Sequence, residues 1–329
     1  MRPVNRLRSA RSLAVGAAAG AAVLALTGAA PAMAADTQAA ASWSTLPAYP
    51  TPIEDNVVGI HDGTLYSVSG TTGTARTTAM FAYTPGSGWT QRSGIPVSRE
   101  NASGAFIRDR FYVTGGWDLS LQPTGTTNVY DPASDTWKTA ATNPAPAAAA
   151  GTAVVNDTLY TIGGCTDSTC TMTDTVTAYD PATDTWTKKA AYPVKAAFIS
   201  CATLADKIYC AGGDTRTSVL NSAYSYDPAQ DTWSPIADLP ANTMAAASGA
   251  VNGRFLVQGG LAGTGLSSVT HQGWSYDPAT DTWSALPASP TAEARGGSTS
   301  DGSALYVVGG RPTPTADRIS DTTQVLRAG

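Results

Sequence analysis

Eight residues, Tyr276-Asp-Pro-Ala-Thr-Asp-Thr-Trp283, recur almost unchanged from Tyr130 to Trp137, from Tyr179 to Trp186 and from Tyr226 to Trp233, with a worn copy from Tyr83 to Trp89. Each copy reads as a strand end, a tight turn and a strand start. Asp before Pro favours turn initiation, proline's fixed φ suits the second turn position, and Thr-Trp are good strand formers. The second Asp of each copy is expected to close the turn. Upstream of every copy, an apolar run ends in glycine: FYVTGG to Gly116, LYTIGG to Gly164, IYCAGG to Gly213, FLVQGG to Gly260, LYVVGG to Gly310, and the degenerate LYSVSG to Gly70. A spacing of roughly 47–50 residues is the period of propeller or solenoid arrays.

The chain begins with Arg2, Arg6, Arg8 and Arg11, then an Ala-rich apolar run, then the small-x-small segment Ala32-Met33-Ala34. Residues 1–34 are read as a Sec-type secretory leader and 35–329 as one domain. The apolar run is too short for a retained span, so no membrane insertion is expected. Four of the 20 Lys+Arg lie in the leader and none of the 25 Asp+Glu do, so its removal takes the net charge from −5 to −9. Such an acidic chain argues against nucleic-acid or anionic-membrane partners.

The four cysteines suit an oxidising compartment. In ISCATLADKIYC two strands joined at Ala205-Asp206 place Cys201 directly opposite Cys210, and Cys165 and Cys170 flank a short loop. Both pairs are expected to be disulfides, since no CxxC or histidine cluster suggests metal.

Each repeat divides into four antiparallel strands. The glycine pair marks a place where neighbouring backbone crowds a side chain or φ is positive. Tyr and Trp wedge between sheets, with their polar tips seeking partners. Trp43-Ser-Thr-Leu-Pro47 matches Trp283-Ser-Ala-Leu-Pro287 but has no three strands before it, while the chain's end has three strands with no Trp strand after. The strand around Trp43 therefore closes the last blade, pairing two otherwise open edges. The expectation is an all-β, six-bladed β-propeller.

The glycine pair, the Tyr and the downstream Trp resemble the kelch repeat, from about Trp43 to Arg327. The first repeat departs from it, with Ser69-Gly70 and Gly88-Trp89. Kelch propellers include protein-binding modules, galactose oxidase-like copper enzymes and N-acetylneuraminate epimerase-like enzymes, so the resemblance implies a fold more than an activity. Copper oxidation of that type needs two histidine and two tyrosine ligands. This chain has only His61 and His271, expected on opposite faces, so no metal and no cofactor is anticipated.

Strand order puts the loops after the glycine pairs and those leading into the inner strands on one face, with tight turns opposite. The loop face should bind a protein or glycan ligand, such as a sugar acid or peptide carboxylate, through Arg99, Lys195 and Arg295. Glu100, Glu293, Trp117 and Arg311 lie beside them. The leading expectation is a secreted, monomeric binding protein without catalysis. The alternative is a carbohydrate-modifying enzyme, an epimerase or lyase on an acidic sugar, using Glu100 with Arg99 or Glu293 with Arg295.

Overall fold

Hairpin turns with left-handed backbone connect first to second strands: Asp62-Gly63 has φ of 48° and 70°, and Asn252-Gly253 47° and 72°. Their twist matches that of the strands they join. The computed structural model describes residues 41–73, 75–262, 268–315 and 318–327, so the leader expected at 1–34 lies outside the described residues. Six four-stranded antiparallel sheets form the blades. The second blade runs Ser103–Ile107, Arg110–Thr114, Thr127–Asp131 and Thr136–Ala140 from axis to rim. The sixth takes its outermost strand from the other end of the chain. Ser42–Leu46 pairs Thr323–Arg327, with Trp43 opposite Leu326. Inner strands of successive blades touch all the way round, from Val57–His61 to Gly297–Ser300 and back. No helix among the described residues is long and apolar enough to cross a membrane.

The repeated octapeptide is a clamp between blades. Its first Asp closes the turn: Asp227 Oδ1 accepts the Ala229 N–H at 2.9 Å, as Asp131, Asp180 and Asp277 do in their copies. The second Asp, expected to close the turn, reaches instead to the preceding blade. Asp231 Oδ1 accepts the Tyr226 hydroxyl at 2.5 Å and the Ala190 N–H at 2.8 Å. Trp233 Nε1–H then donates to the carbonyl of that same Ala190 at 3.1 Å. Asp135, Asp184 and Asp281 repeat the pattern on Ser93, Ala141 and Ala237. A left-handed backbone at the second Asp, φ 52° in all four copies, swings it off the turn. Trp43 and Trp89 keep only the indole bond, to Pro287 and Pro47. Thus neither seam flanking the sixth blade has the carboxylate half of the clamp. Polar side chains nearer the axis tie those seams: Asn56 Oδ1 accepts the Gly297 N–H at 3.1 Å, and the Ser298 hydroxyl accepts the Ser248 N–H at 3.0 Å.

The Asp184 and Asp231 carboxyls are held below their ordinary 3.8, first by the tyrosine hydroxyl and then by the backbone N–H. A depressed carboxyl stabilises the fold above its unfolded pKa and loses that contribution as pH falls through the folded value. The melting temperature should therefore be flat from neutrality down to about pH 4 as far as these groups are concerned, and fall below it. Asp231→Ala strands the Tyr226 hydroxyl and the Ala190 N–H. It should cost about 1–2 kcal/mol in urea unfolding and flatten the acid limb, with Asp62→Ala as a control outside the clamp.

The glycine pairs serve both expected purposes. Gly212 and Gly213 have φ of 69° and 103°. A Cβ on Gly212 would lie 2.4 Å from the Thr243 carbonyl of the next blade. In the first blade Ser69 replaces the first glycine at φ 63°, and its hydroxyl bonds the Arg99 carbonyl and accepts the Arg99 N–H. Both disulfides form as expected, Cys165–Cys170 and Cys201–Cys210. The latter pair is in direct register at a Cα separation of 4.2 Å.

Candidate functional site

One residue just ahead of each inner strand adopts left-handed backbone: Asp55, Asn101, Ala149, Phe198, Ala245 and Arg295, with φ between 52° and 62°. That geometry aims each N–H at the preceding blade. Asn101 donates to Asp55, Ala149 to Asn101, Phe198 to Ala149, Ala245 to Phe198, Arg295 to Ala245 and Asp55 to Arg295, all at 2.7–3.1 Å. Six backbone hydrogen bonds thus close a circle around the axis on the loop face. For a residue as bulky as Phe198 this conformation costs about 1–2 kcal/mol, which the circle must supply. The residue before each member bridges to the residue after its blade's glycine pair, as Glu54 does to Thr71 and Ala294 to Arg311.

Side chains make the mouth two-sided. On the side of blades six, one and two, Arg295 pairs with Asp55 and stands 3.8 Å from Glu54. Arg311 grips Glu54 with two hydrogen bonds, 2.5 and 2.7 Å, and Arg76 holds Glu100 at 2.6 Å. The carboxylates of Glu54 and Asp55 are 3% and 2% exposed, whereas Arg295 keeps 17%. Burial works against charge on Arg295, but Asp55 and then Glu54 outweigh it and raise its pKa. Burial likewise pushes the Glu54 carboxyl up, against the pull of Arg311. From blade two round to blade four the mouth is apolar, with Trp117, Met172 and Phe198 packed with the Cys165–Cys170 bridge. Phe198 joins the two halves, its ring centroid 5.3 Å from the Arg295 guanidinium. Asp55 Oδ1, Arg76 Nε, Asn101 Nδ2 and Arg295 Nε are buried without a hydrogen-bond partner.

Of the three cations expected to ring the axis, only Arg295 reaches it. Arg99 stands two positions ahead of the circle member Asn101, where its side chain turns into the protein, and it is wholly buried. Its guanidinium donates to Gly115 O, Thr126 O and Asn128 Oδ1, the last at 2.6 Å, and burial lowers its pKa to about 10. It is a strut. Lys195 stands three positions ahead of Phe198 and is exposed without lining the channel. Glu293 occupies the position of Arg99 in its own blade. It is 6% exposed, bonds the Thr322 hydroxyl at 2.8 Å, and burial pushes its carboxyl up to about 7. Glu100 with Arg99 and Glu293 with Arg295 do not come together: Arg99 and Glu293 turn into the protein, while Glu100 pairs with Arg76 and Arg295 with Asp55. Arg311 is committed to Glu54, and Trp117 donates its indole N–H to Asp167 O at 3.0 Å. Phe198 carried no charge or motif to mark it. Its only signal in sequence is its place just before an inner strand.

Below the circle a cavity of about 550 Å³ runs along the inner strands. His61 and His271 lie apart, His61 stacked on Phe106 at the tight turns and His271 bonded to the Ser289 carbonyl in a long loop. Among the described residues no group of His, Cys, Asp and Glu is arranged to hold a metal ion.

Against known proteins, the Attractin/LZTR1 beta-propeller family matches residues 111–325, well over half of the chain. The chain belongs to that family. It is therefore a kelch-type propeller, and the resemblance of its repeats is to its own kind. The solved structure described as "Structure of YjhT" superposes with a TM-score of 0.74 over 84% of this chain and 95% of that one, at 19% identity. At that identity the likeness carries the fold alone. No curated protein matches the sequence. A kelch-type fold by itself selects no activity, so the mouth must be read from its own residues.

Proposed function

We propose that this protein is a secreted binding protein whose loop-face mouth takes a ligand carrying a carboxylate, a sugar acid or a peptide acid. The observation that carries the reading is Arg295 at the axis. It is a partly exposed guanidinium that lines the channel, set between Asp55 and the ring of Phe198. A guanidinium offers a carboxylate two parallel hydrogen bonds, and the ring offers a flat apolar surface to the rest of the ligand. Two disulfides, together with the leader-like residues 1–34, support export. Binding without chemistry is preferred because Glu100 and Glu293, the acid–base candidates of the enzymatic alternative, have separate partners and share no cavity.

Glycan and peptide arrays probed with residues 35–329 should retain acidic ligands. Arg295→Lys keeps a cation for Asp55 but loses the two-pronged grip, and should weaken binding by about tenfold or more. Lys195→Ala should change it less than about twofold. Retention of ligands with no acid group, or equal effects of the two substitutions, would refute this reading.

A further inference from the structure

The cavity beneath the mouth has its own chemistry. Counting five residues down each inner strand from the circle gives a ring at the tight-turn end: Ile60, Phe106, Val154, Thr203, Ala250 and Ser300. All six are half-buried and all line the cavity. Blades one to three contribute Ile, Phe and Val, whereas blades four to six contribute Thr, Ala and Ser. Two residues nearer the mouth the division is partial, with Val58, Gly104 and Thr152 on one side and Cys201, Ser248 and Ser298 on the other. The serines are already ordered: Ser248 Oγ donates to Cys201 O at 2.9 Å, and Ser300 Oγ accepts the Ala250 N–H at 2.9 Å. Thr203 Oγ1 is buried without a hydrogen-bond partner and is not presented to the channel. Phe106 is fixed in a stack, between His61 at 5.0 Å and Phe111 at 4.7 Å. The charged lining residues are Asp55 and Arg295, both at the mouth and neutralising one another. With Phe198 they line the loop-face end.

We infer that this channel is a second binding site, entered from the tight-turn face, for a neutral small molecule with one apolar face and one hydroxyl-rich face. About 550 Å³ lies within the ~300–1,000 Å³ typical of small-molecule sites. An ion is disfavoured, because below the mouth no charge offsets its desolvation. A wholly apolar ligand would leave unused the remaining hydrogen-bonding capacity of Ser248, Ser298 and Ser300, each of which makes protein bonds already. A neutral ring with hydroxyl groups on one side satisfies both walls. The site is independent of the carboxylate reading, since it uses other residues and the opposite face.

Phenyl β-D-glucopyranoside, neutral and two-sided, is a suitable probe for calorimetric titration of residues 35–329. Saturable binding is expected at or below about 10 mM, undiminished by excess glucuronate. Ala250→Phe, which fills the tight-turn end, should weaken it at least about tenfold. Ser300→Ala, which removes a hydroxyl residue lining the channel and is informative should Ala250→Phe misfold, should weaken it about fivefold. Absence of saturable binding, meaning a channel that holds water only, would overturn the inference. So would binding that both variants leave unchanged. Displacement by glucuronate would place the probe at the loop face instead and overturn it equally.

Discussion

Removal of residues 1–47 should make the chain aggregate. The sixth blade would be left with three strands, exposing the outer edge of Thr323–Arg327, which Ser42–Leu46 now covers through five residue pairs. The loss is larger than one strand's ladder. Trp43 packs with Leu256, Leu305 and Leu326, and its indole bonds Pro287 O. Pro47 supplies the carbonyl that Trp89 of the first blade grips at 3.0 Å. Both seams around the sixth blade, already without the aspartate clamp, would therefore lose their indole bonds as well. A bare edge then invites pairing with other chains. Size exclusion and thermal melting of the truncated and untruncated proteins decide it. A monomer melting at the full protein's temperature would contradict the ring closure.

Gly309→Val should be among the most damaging single substitutions. Gly309 holds φ at 68°, and a Cβ there would sit 2.1 Å from the Ile53 carbonyl, which also accepts the Gly310 N–H at 2.7 Å. Left-handed backbone costs a β-branched residue about 1–2 kcal/mol, and the displaced carbonyl adds about 1–3 kcal/mol, so a loss of about 2–5 kcal/mol is expected. Gly63→Val isolates the first contribution. Its φ is similar, at 70°, but a Cβ there meets nothing within 4 Å, so only the backbone cost of about 1–2 kcal/mol should appear. Equal losses in denaturant unfolding would show that the inter-blade contact at Gly309 is worth nothing.

These two substitutions show which parts of the fold were legible in sequence. Glycine pairs and tryptophans announce themselves because each meets a requirement that few residue types satisfy. Gly309 allows a carbonyl to approach where a Cβ would stand, and Trp89 fills a wedge while reaching a carbonyl. Blade count, closure and both disulfides followed from such residues. The role of the second Asp did not, since a residue two steps from a proline turn reads as part of that turn, and its partners lie in another repeat. The mouth was harder still. Its circle is specified by hydrogen bonds between blades, so residues as different as Ala149, Phe198 and Arg295 take the same left-handed backbone. No residue type marks the position. Arg99, Lys195 and Arg295 looked equivalent because all lie in loops leading to inner strands, yet they stand at different steps from the circle. One step of two residues separates a buried strut from a group at the axis.

The most direct test of the proposed function is the ratio of dissociation constants for glucuronate and glucuronamide, measured by calorimetry. The pair differs only in the carboxylate, so any neutral binding in the channel cancels. The unaltered protein should prefer the acid by about tenfold to a hundredfold, the scale of a charged hydrogen bond. Asp55→Asn combined with Arg295→Gln leaves no orphaned carboxylate at the mouth and should bring the ratio close to one. A preference that survives the double substitution would contradict the assignment of Arg295 as the residue that reads the acid, as would its absence from the unaltered protein.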